Sequence, residues 1–315
     1  MKPTIRGIHH VTAIAGDPQQ NIDFYTGLLG LRMVKLTVNF DDPYTYHLYY
    51  GDDRGAPGSV LTFFPWPGAS RGSRGAGQAT VVSFSVPEGS LPFWQRRLTE
   101  RGVPVSEPVG RMRSQAISFH DPDDLALEIV EDSAERRPPM PARALVPAER
   151  SIRGFHSVTL SEADGRATAD FLTRSLGFRL VSQEGNRARY EAGEGGPGAA
   201  VDLLDEPRLE RGLVSVGTVH HVAFRTPDDE EQAAWQETIR RAGHQVTPVA
   251  DRHYFRSIYF REPGGVLFEI ATDLPGFTID EPVERLGGGL ALPPWLEPRR
   301  EAIARQLPPV SVPAA

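Results

Sequence analysis

The same succession of elements recurs four times along this chain of 315 residues: an apolar strand, a polar turn, an amphipathic helix closed by Gly, then several strands. The closing glycines are Gly30, Gly102, Gly177 and Gly243, spaced 72, 75 and 66 residues apart. A period of that length is one supersecondary unit, not a short solenoid repeat. Gly suits each position because the residue after a helix commonly turns left-handed, where a Cβ is strained.

The first strands are comparable: Ile8–Ala15 (IHHVTAIA), Ala79–Val86 (ATVVSFSV), Phe155–Leu160 (FHSVTL) and Val219–Thr226 (VHHVAFRT). Each unit ends on an apolar strand, at Val60–Phe64, Leu125–Val130, Ala200–Leu204 and Val266–Ala271. The spacing predicts an α+β protein of four βαβββ modules near 7–66, 78–131, 152–205 and 217–273, forming two open β-barrel-like domains. In sequence these are an N-terminal pair (1–140), a C-terminal pair (150–275) and a tail (276–315). The Pro- and Arg-rich stretch Glu135–Arg150 is the expected linker, and the Gly-rich stretch Ala69–Gln78 a flexible connector.

Two His-His pairs stand at matching places in modules one and four, His9–His10 and His220–His221. Strand alternation sends only one imidazole of each pair inward, and the register set by Ile8 selects His10 and, by the same logic, His221. The last strand of module four carries Glu269 among apolar neighbours, where a carboxylate is costly unless paired or metal-bound. Two imidazoles and one carboxylate suit a divalent metal with open coordination positions. A satisfied core His and a carboxylate common to the repeat are the bland alternatives, since Glu128 holds the matching place in module two. Val81 and Ser157 stand where His221 and His10 would be in the other two modules, so one metal per chain is expected, held between modules one and four.

Charge and composition narrow the partners. Lys plus Arg is 34 against 41 Asp plus Glu, a net charge of −7, which argues against nucleic acid. Without Cys there is no thiolate metal site, iron–sulfur cluster or cysteine nucleophile. The N-terminus lacks the apolar run of a signal peptide, and no stretch reaches the ~18 apolar residues of a membrane helix. The expectation is a cytoplasmic protein without membrane or nucleic-acid partners, with a homo-oligomer left open.

GIHHVTAIAGD (Gly7–Asp17), VHHVAFRTPDDEEQ (Val219–Gln232), DRHYFRSIYFREPGGVLFEIATD (Asp251–Asp273) and the tail Leu290–Pro309 resemble the vicinal oxygen chelate superfamily. Within it they resemble the four-module dioxygenases that cleave hydroquinone rings. The resemblance implies that fold, a metal held by His10, His221 and Glu269, and Fe(II), with Mn(II) as the alternative. It further implies that Thr12, Arg252 and Tyr259 contact or orient the substrate, with His9 and His220 beside the ligands. His253 is expected to face solvent. The implied substrates are O2 and a dihydroxylated aromatic, a hydroquinone before a catechol.

Two other activities compete. A glyoxalase-type isomerase or lyase would use a fourth protein ligand from the last strand of module one, and Ser59–Gly68 contains no carboxylate. A sequestering protein would line a pocket with Phe63, Phe64 and Trp66 and would need no metal. The tail is expected to pack over the active-site module as a lid, with Trp295 as its anchor.

Overall fold

The structure, a computed structural model, describes residues 3–139 and 145–312. Residues 140–144 of the expected linker, and the last three of the tail, lie outside the described residues.

Module one runs β1 (Ile8–Ala15), a helix (Pro18–Ile22) widening into a π-helical turn (Asp23–Leu28), β2 (Arg32–Asn39), β3 (Asp42–Gly51) and β4 (Val60–Pro65). Module two comprises β5 (Gln78–Val86), a helix (Leu91–Glu100), β6 (Val109–Arg111), β7 (Ser114–His120) and β8 (Ala126–Glu131). Module three has β9 (Phe155–Glu162), a helix (Arg166–Asp170) with its own π-helical turn (Phe171–Ser175), β10 (Arg179–Glu184), β11 (Arg187–Glu191) and β12 (Ala200–Asp205). Module four has β13 (Val219–Thr226), a helix (Asp229–Arg241), β14 (Ala250–Asp251), β15 (Phe255–Arg261) and β16 (Leu267–Pro275).

The helix boundaries follow from local chemistry. Asp17 and Asp228 cap the helices of modules one and four, accepting from the backbone N–H of Gln20 and Glu231 at 2.9 Å each. The module-four helix carries three acids in its first turn and Arg240 and Arg241 in its last, matching the helix dipole. It buries Gln232, Trp235 and Ile239 on one stripe. The four closing glycines have φ of +73°, +74°, +78° and +87° in chain order, the left-handed turn expected of them.

The sixteen strands form two curled, open eight-stranded sheets, ordered β14-β15-β16-β13-β1-β4-β3-β2 and β10-β11-β12-β9-β5-β8-β7-β6. Modules one and four share the first sheet, modules two and three the second. Each module contributes its first strand to the middle of its sheet, so β1 pairs with β13, and β5 with β9, both antiparallel. One apolar cluster runs through both sheets, from Ile8 and Phe224 to Phe84 and Phe155.

The Gly-rich connector differs from expectation. Gly72, Ser73 and Ala76 donate backbone hydrogen bonds to Val216, Leu213 and Glu210 at 2.8–3.0 Å, and Gly212 and Leu213 donate back to Ala76 and Ser73. The stretch joining modules one and two is therefore laced to the stretch joining modules three and four. Glycine serves close approach here, because a Cβ on Gly75 would lie 2.4 Å from Gly212 N. Among the described residues no helix is long and apolar enough to cross a membrane.

Candidate metal centre

The centre lies at the middle of the first sheet, where β1, β13 and β16 are adjacent. His10 faces Ala223 across β1 and β13, and Ala223 faces Glu269 across β13 and β16. This register brings together His10, His221 and Glu269, all buried. His10 Nε2 is 3.2 Å from His221 Nε2 and 3.3 Å from Glu269 Oε2, and His221 Nε2 is 2.9 Å from Glu269 Oε2. The Ser257 hydroxyl donates to Glu269 Oε1, while Oε2 has no hydrogen-bond partner. Burial alone would push this carboxyl up; positive charge at the imidazole positions His10 and His221 would outweigh it and hold Glu269 well below the ordinary carboxylate range, as a cation among the three would.

Strand alternation does not hold at the His-His pairs. In the pairing of β1 with β13, His9 and His220 are each an extra residue without a cross-strand partner, a β-bulge on either strand. The bulge lets His9 and His10 both touch the Phe255 ring, at 5.1 Å each. His9 Nδ1 lies 2.9 Å from His10 Nδ1, and His220 Nδ1 lies 2.8 Å from His221 Nδ1.

Those contacts set tautomers. Burial lowers the pKa of His9 and of His220 to about 3, so both rings are neutral near pH 7. His9 Nε2–H donates to the Thr272 carbonyl at 3.2 Å, which leaves its Nδ1 as an acceptor. The proton between the two Nδ1 atoms then belongs to His10, and the tautomer with that single proton presents a bare Nε2 to Glu269 Oε2. A lone pair and an unpartnered carboxylate oxygen facing each other in a buried site suit a cation between them, with His9 orienting the ligand from behind. The donor set of two imidazoles and one carboxylate fits a divalent metal.

Thr62 of β4 occupies the place in module one that Glu269 occupies in module four, since it pairs with Thr12 as Glu269 pairs with Ala223. Among the described residues no fourth carboxylate completes the set. Thr62 instead joins a buried chain. Its hydroxyl is 2.8 Å from the Thr12 hydroxyl and 2.9 Å from His47 Nε2, and His47 Nδ1 is 2.8 Å from the Tyr49 hydroxyl. Burial, with His10 and His221 nearby, lowers the His47 pKa well below the ordinary value, so this ring too is neutral.

A cavity of about 260 Å3 opens beside the centre, lined by His10, His221, His220, Arg252 and Tyr259 with the apolar side chains Phe40, Phe64, Trp66, Phe255 and Leu267. Arg252 Nε donates to the Tyr259 hydroxyl at 3.1 Å, and Nη1 to Asp41 Oδ2 at 2.9 Å. Burial and Glu269 raise the Tyr259 pKa, so its hydroxyl keeps its proton. Of the residues expected from sequence, Thr12 lies behind the cavity in the threonine pair and His9 behind His10; Phe63 is core and does not line it.

His253 does not face solvent. Its ring packs on Tyr254 and Trp295, and Nε2 lies 3.5 Å from Asp280 Oδ2. The tail is held here by a fully buried Lys35, which bonds Asp280 at 2.6 Å and Glu281. Phe277 packs against Tyr49 and Tyr254 at 5.1 and 5.0 Å, whereas Trp295, half-exposed, meets Phe40 edge-on at 5.6 Å.

His47, Tyr49, Ser257 and Asp41 were missed from sequence. Aligning the third strands would have found three of them, since Tyr49 pairs with Thr62 as Tyr259 pairs with Glu269, and His47 then matches Ser257. Asp41 gives no such signal.

The family model described as Glyoxalase/Bleomycin resistance protein/Dioxygenase superfamily matches residues 7–129 and 154–270. This chain belongs to that superfamily. It is 48% identical over 306 residues to MhqO of Bacillus subtilis (strain 168), provisionally named a ring-cleaving dioxygenase, covering 97% of each chain. It is 36% identical over 311 residues to the chlorohydroquinone/hydroquinone 1,2-dioxygenase of Sphingobium indicum, covering 96% of each. A crystal structure of a provisionally named dioxygenase from Bacillus subtilis matches with a TM-score of 0.94 at 47% identity, covering 100% of both chains. Glyoxalase I of Zea mays, at 15% identity and a TM-score of 0.62 over 85% of this chain and 92% of its own, shares the fold. Fold alone does not choose among the superfamily's activities.

Proposed function

We propose that this protein is a metal-dependent ring-cleaving dioxygenase, that its metal is Fe(II), held by His10, His221 and Glu269, and that its aromatic substrate is a hydroquinone. The observation that carries the reading is the three-ligand set with Thr62, not a carboxylate, in the fourth place. That set leaves coordination positions for two substrates, and relatives matched over nearly their whole length are named a ring-cleaving dioxygenase and a hydroquinone 1,2-dioxygenase.

When bound, the metal would supply a Lewis acid and an electron conduit between an electron-rich ring and O2. The protein's share is binding, orientation and charge. Phe64, Trp66, Phe255 and Leu267 give the cavity apolar walls that suit a flat ring and keep water out. Its volume, below the ~300 Å3 at which drug-sized pockets begin, fits one ring. Because Arg252 Nε already donates to the Tyr259 oxygen, the Tyr259 proton is free to point at a substrate oxygen. Arg252 stands as a fixed cation beside a bound phenolate. Thr12, Thr62, His47 and Tyr49 hold a proton chain beside the open side of the ligand set.

The test is O2 uptake by protein reconstituted anaerobically with Fe(II) or Mn(II), with methylhydroquinone and catechol as substrates. The expected result is uptake of one O2 per ring with methylhydroquinone and Fe(II). Uptake with catechol alone would replace the substrate, uptake with Mn(II) alone would replace the metal, and no uptake despite a filled site would move the activity to an isomerase or lyase.

A further inference from the structure

We infer that Asp41, on the turn between β2 and β3, is a specificity-determining residue that restricts this site to hydroquinones without an acidic substituent. The inference rests on the hydroquinone reading and adds a selection rule to it. Among the residues lining the cavity, the metal ligands aside, Asp41 and Arg252 are the only ones with a permanent charge, and they are bonded to each other. Arg252 is thus already neutralised from one side by Asp41, and its Nε–H serves Tyr259.

A ring bearing a carboxylate could reach Arg252 only by sharing it with Asp41, and would then sit beside a like charge. A methyl or halogen substituent meets neither obstacle and finds Phe40, Phe64 and Trp66 instead. This is discrimination by a built-in repulsion as much as by attraction. The Asp41 carboxylate is not needed to shape its turn. The turn is closed by the Asp41 N–H donating to Asn39 Oδ1, and by Asp42 accepting from Tyr44 N–H and the Thr45 hydroxyl.

The experiment compares the full-length Fe(II) protein with Asp41→Asn and Asp41→Glu. It reads kcat/KM for methylhydroquinone, inhibition of that reaction by 2,5-dihydroxybenzoate, and the anaerobic Kd of 2,5-dihydroxybenzoate by calorimetry. The Asp41 side chain is 72% exposed, so the effect is that of a rim charge: Asp41→Asn should tighten 2,5-dihydroxybenzoate about two- to fivefold relative to methylhydroquinone, while Asp41→Glu stays close to wild type. Equal affinity for 2,5-dihydroxybenzoate in wild type and Asp41→Asn would overturn the inference. The calorimetric arm gives that answer whether or not methylhydroquinone is turned over, and absent turnover counts against the ring-cleavage reading alone.

Discussion

The two sheets are built on one plan but solve the problem of a buried carboxylate differently. In the second sheet the central strands β5 and β9 carry bulges at Thr80 and His156, the same places that hold His220 and His9 in the first. The register puts Val81 and Ser157 where His221 and His10 stand, Glu128 where Glu269 stands, and Asp202 where Thr62 stands. There the carboxylates are met by guanidinium groups. Arg111 bonds Glu128 at 2.8 Å, and Arg189 grips Asp202 with two bonds at 2.7 and 3.0 Å, Arg187 adding a third at 3.2 Å. In the first sheet Glu269 meets two imidazoles and one serine, and Oε2 is left without a donor. The backbone device is common to both halves; what differs is whether the carboxylates meet a cationic side chain or one oxygen is left without a donor.

The largest effect should separate the two acids. Glu269→Gln should lower turnover of methylhydroquinone by about a thousandfold or more, while Glu128→Gln, at the matching place in the other sheet, leaves it within about twofold. Comparable losses in steady-state kcat for both would erase the distinction between the sheets. Next is the fourth position: Thr62→Glu should keep the metal, as judged by metal analysis, yet cost about a hundredfold in turnover by closing a coordination position.

His9→Phe should weaken metal affinity by about 10–100-fold in an equilibrium competition with a chelator, because the proton on His10 is then no longer directed to Nδ1. An unchanged affinity would mean that the His-His contact is packing alone. The smallest effect is electrostatic and belongs to the second sheet. Burial pushes the Asp202 pKa up, but the bond from Arg189, with Arg187 beside it, outweighs that and holds it below the ordinary 3.8. A depressed carboxylate contributes stability that is complete above that value and is lost as pH falls further. Asp202→Asn should therefore remove up to about 1.4 kcal/mol per pH unit of the acid-side slope below pH ~4, read by denaturant midpoints in metal-free protein.

The four modules, their strands and the His10, His221 and Glu269 set were legible because each rests on a local signal: apolar alternation, a Gly after a helix, a doubled His, an acid in an apolar strand. What stayed hidden depends on pairing. The bulges at His9 and His220 come from the register between β1 and β13, and without them alternation puts the two imidazoles of each pair on opposite faces. His47 lies in a run of tyrosines whose phase is set only by Tyr49 facing Thr62. Arg252 meets Asp41, 211 residues away in sequence, rather than its neighbour Asp251. The connector after Trp66 has the composition of a flexible segment and is ordered by a partner strand of equal irregularity.

Uptake of a metal by the first sheet, and not by the second, is what separates the two halves most directly. Anaerobic equilibrium dialysis of Fe(II) against wild type, Glu269→Gln and Glu128→Gln counts ions per chain. The prediction is one ion in wild type, one in Glu128→Gln, and none held tightly in Glu269→Gln. Two ions in wild type, or loss of the ion on changing Glu128, would contradict it.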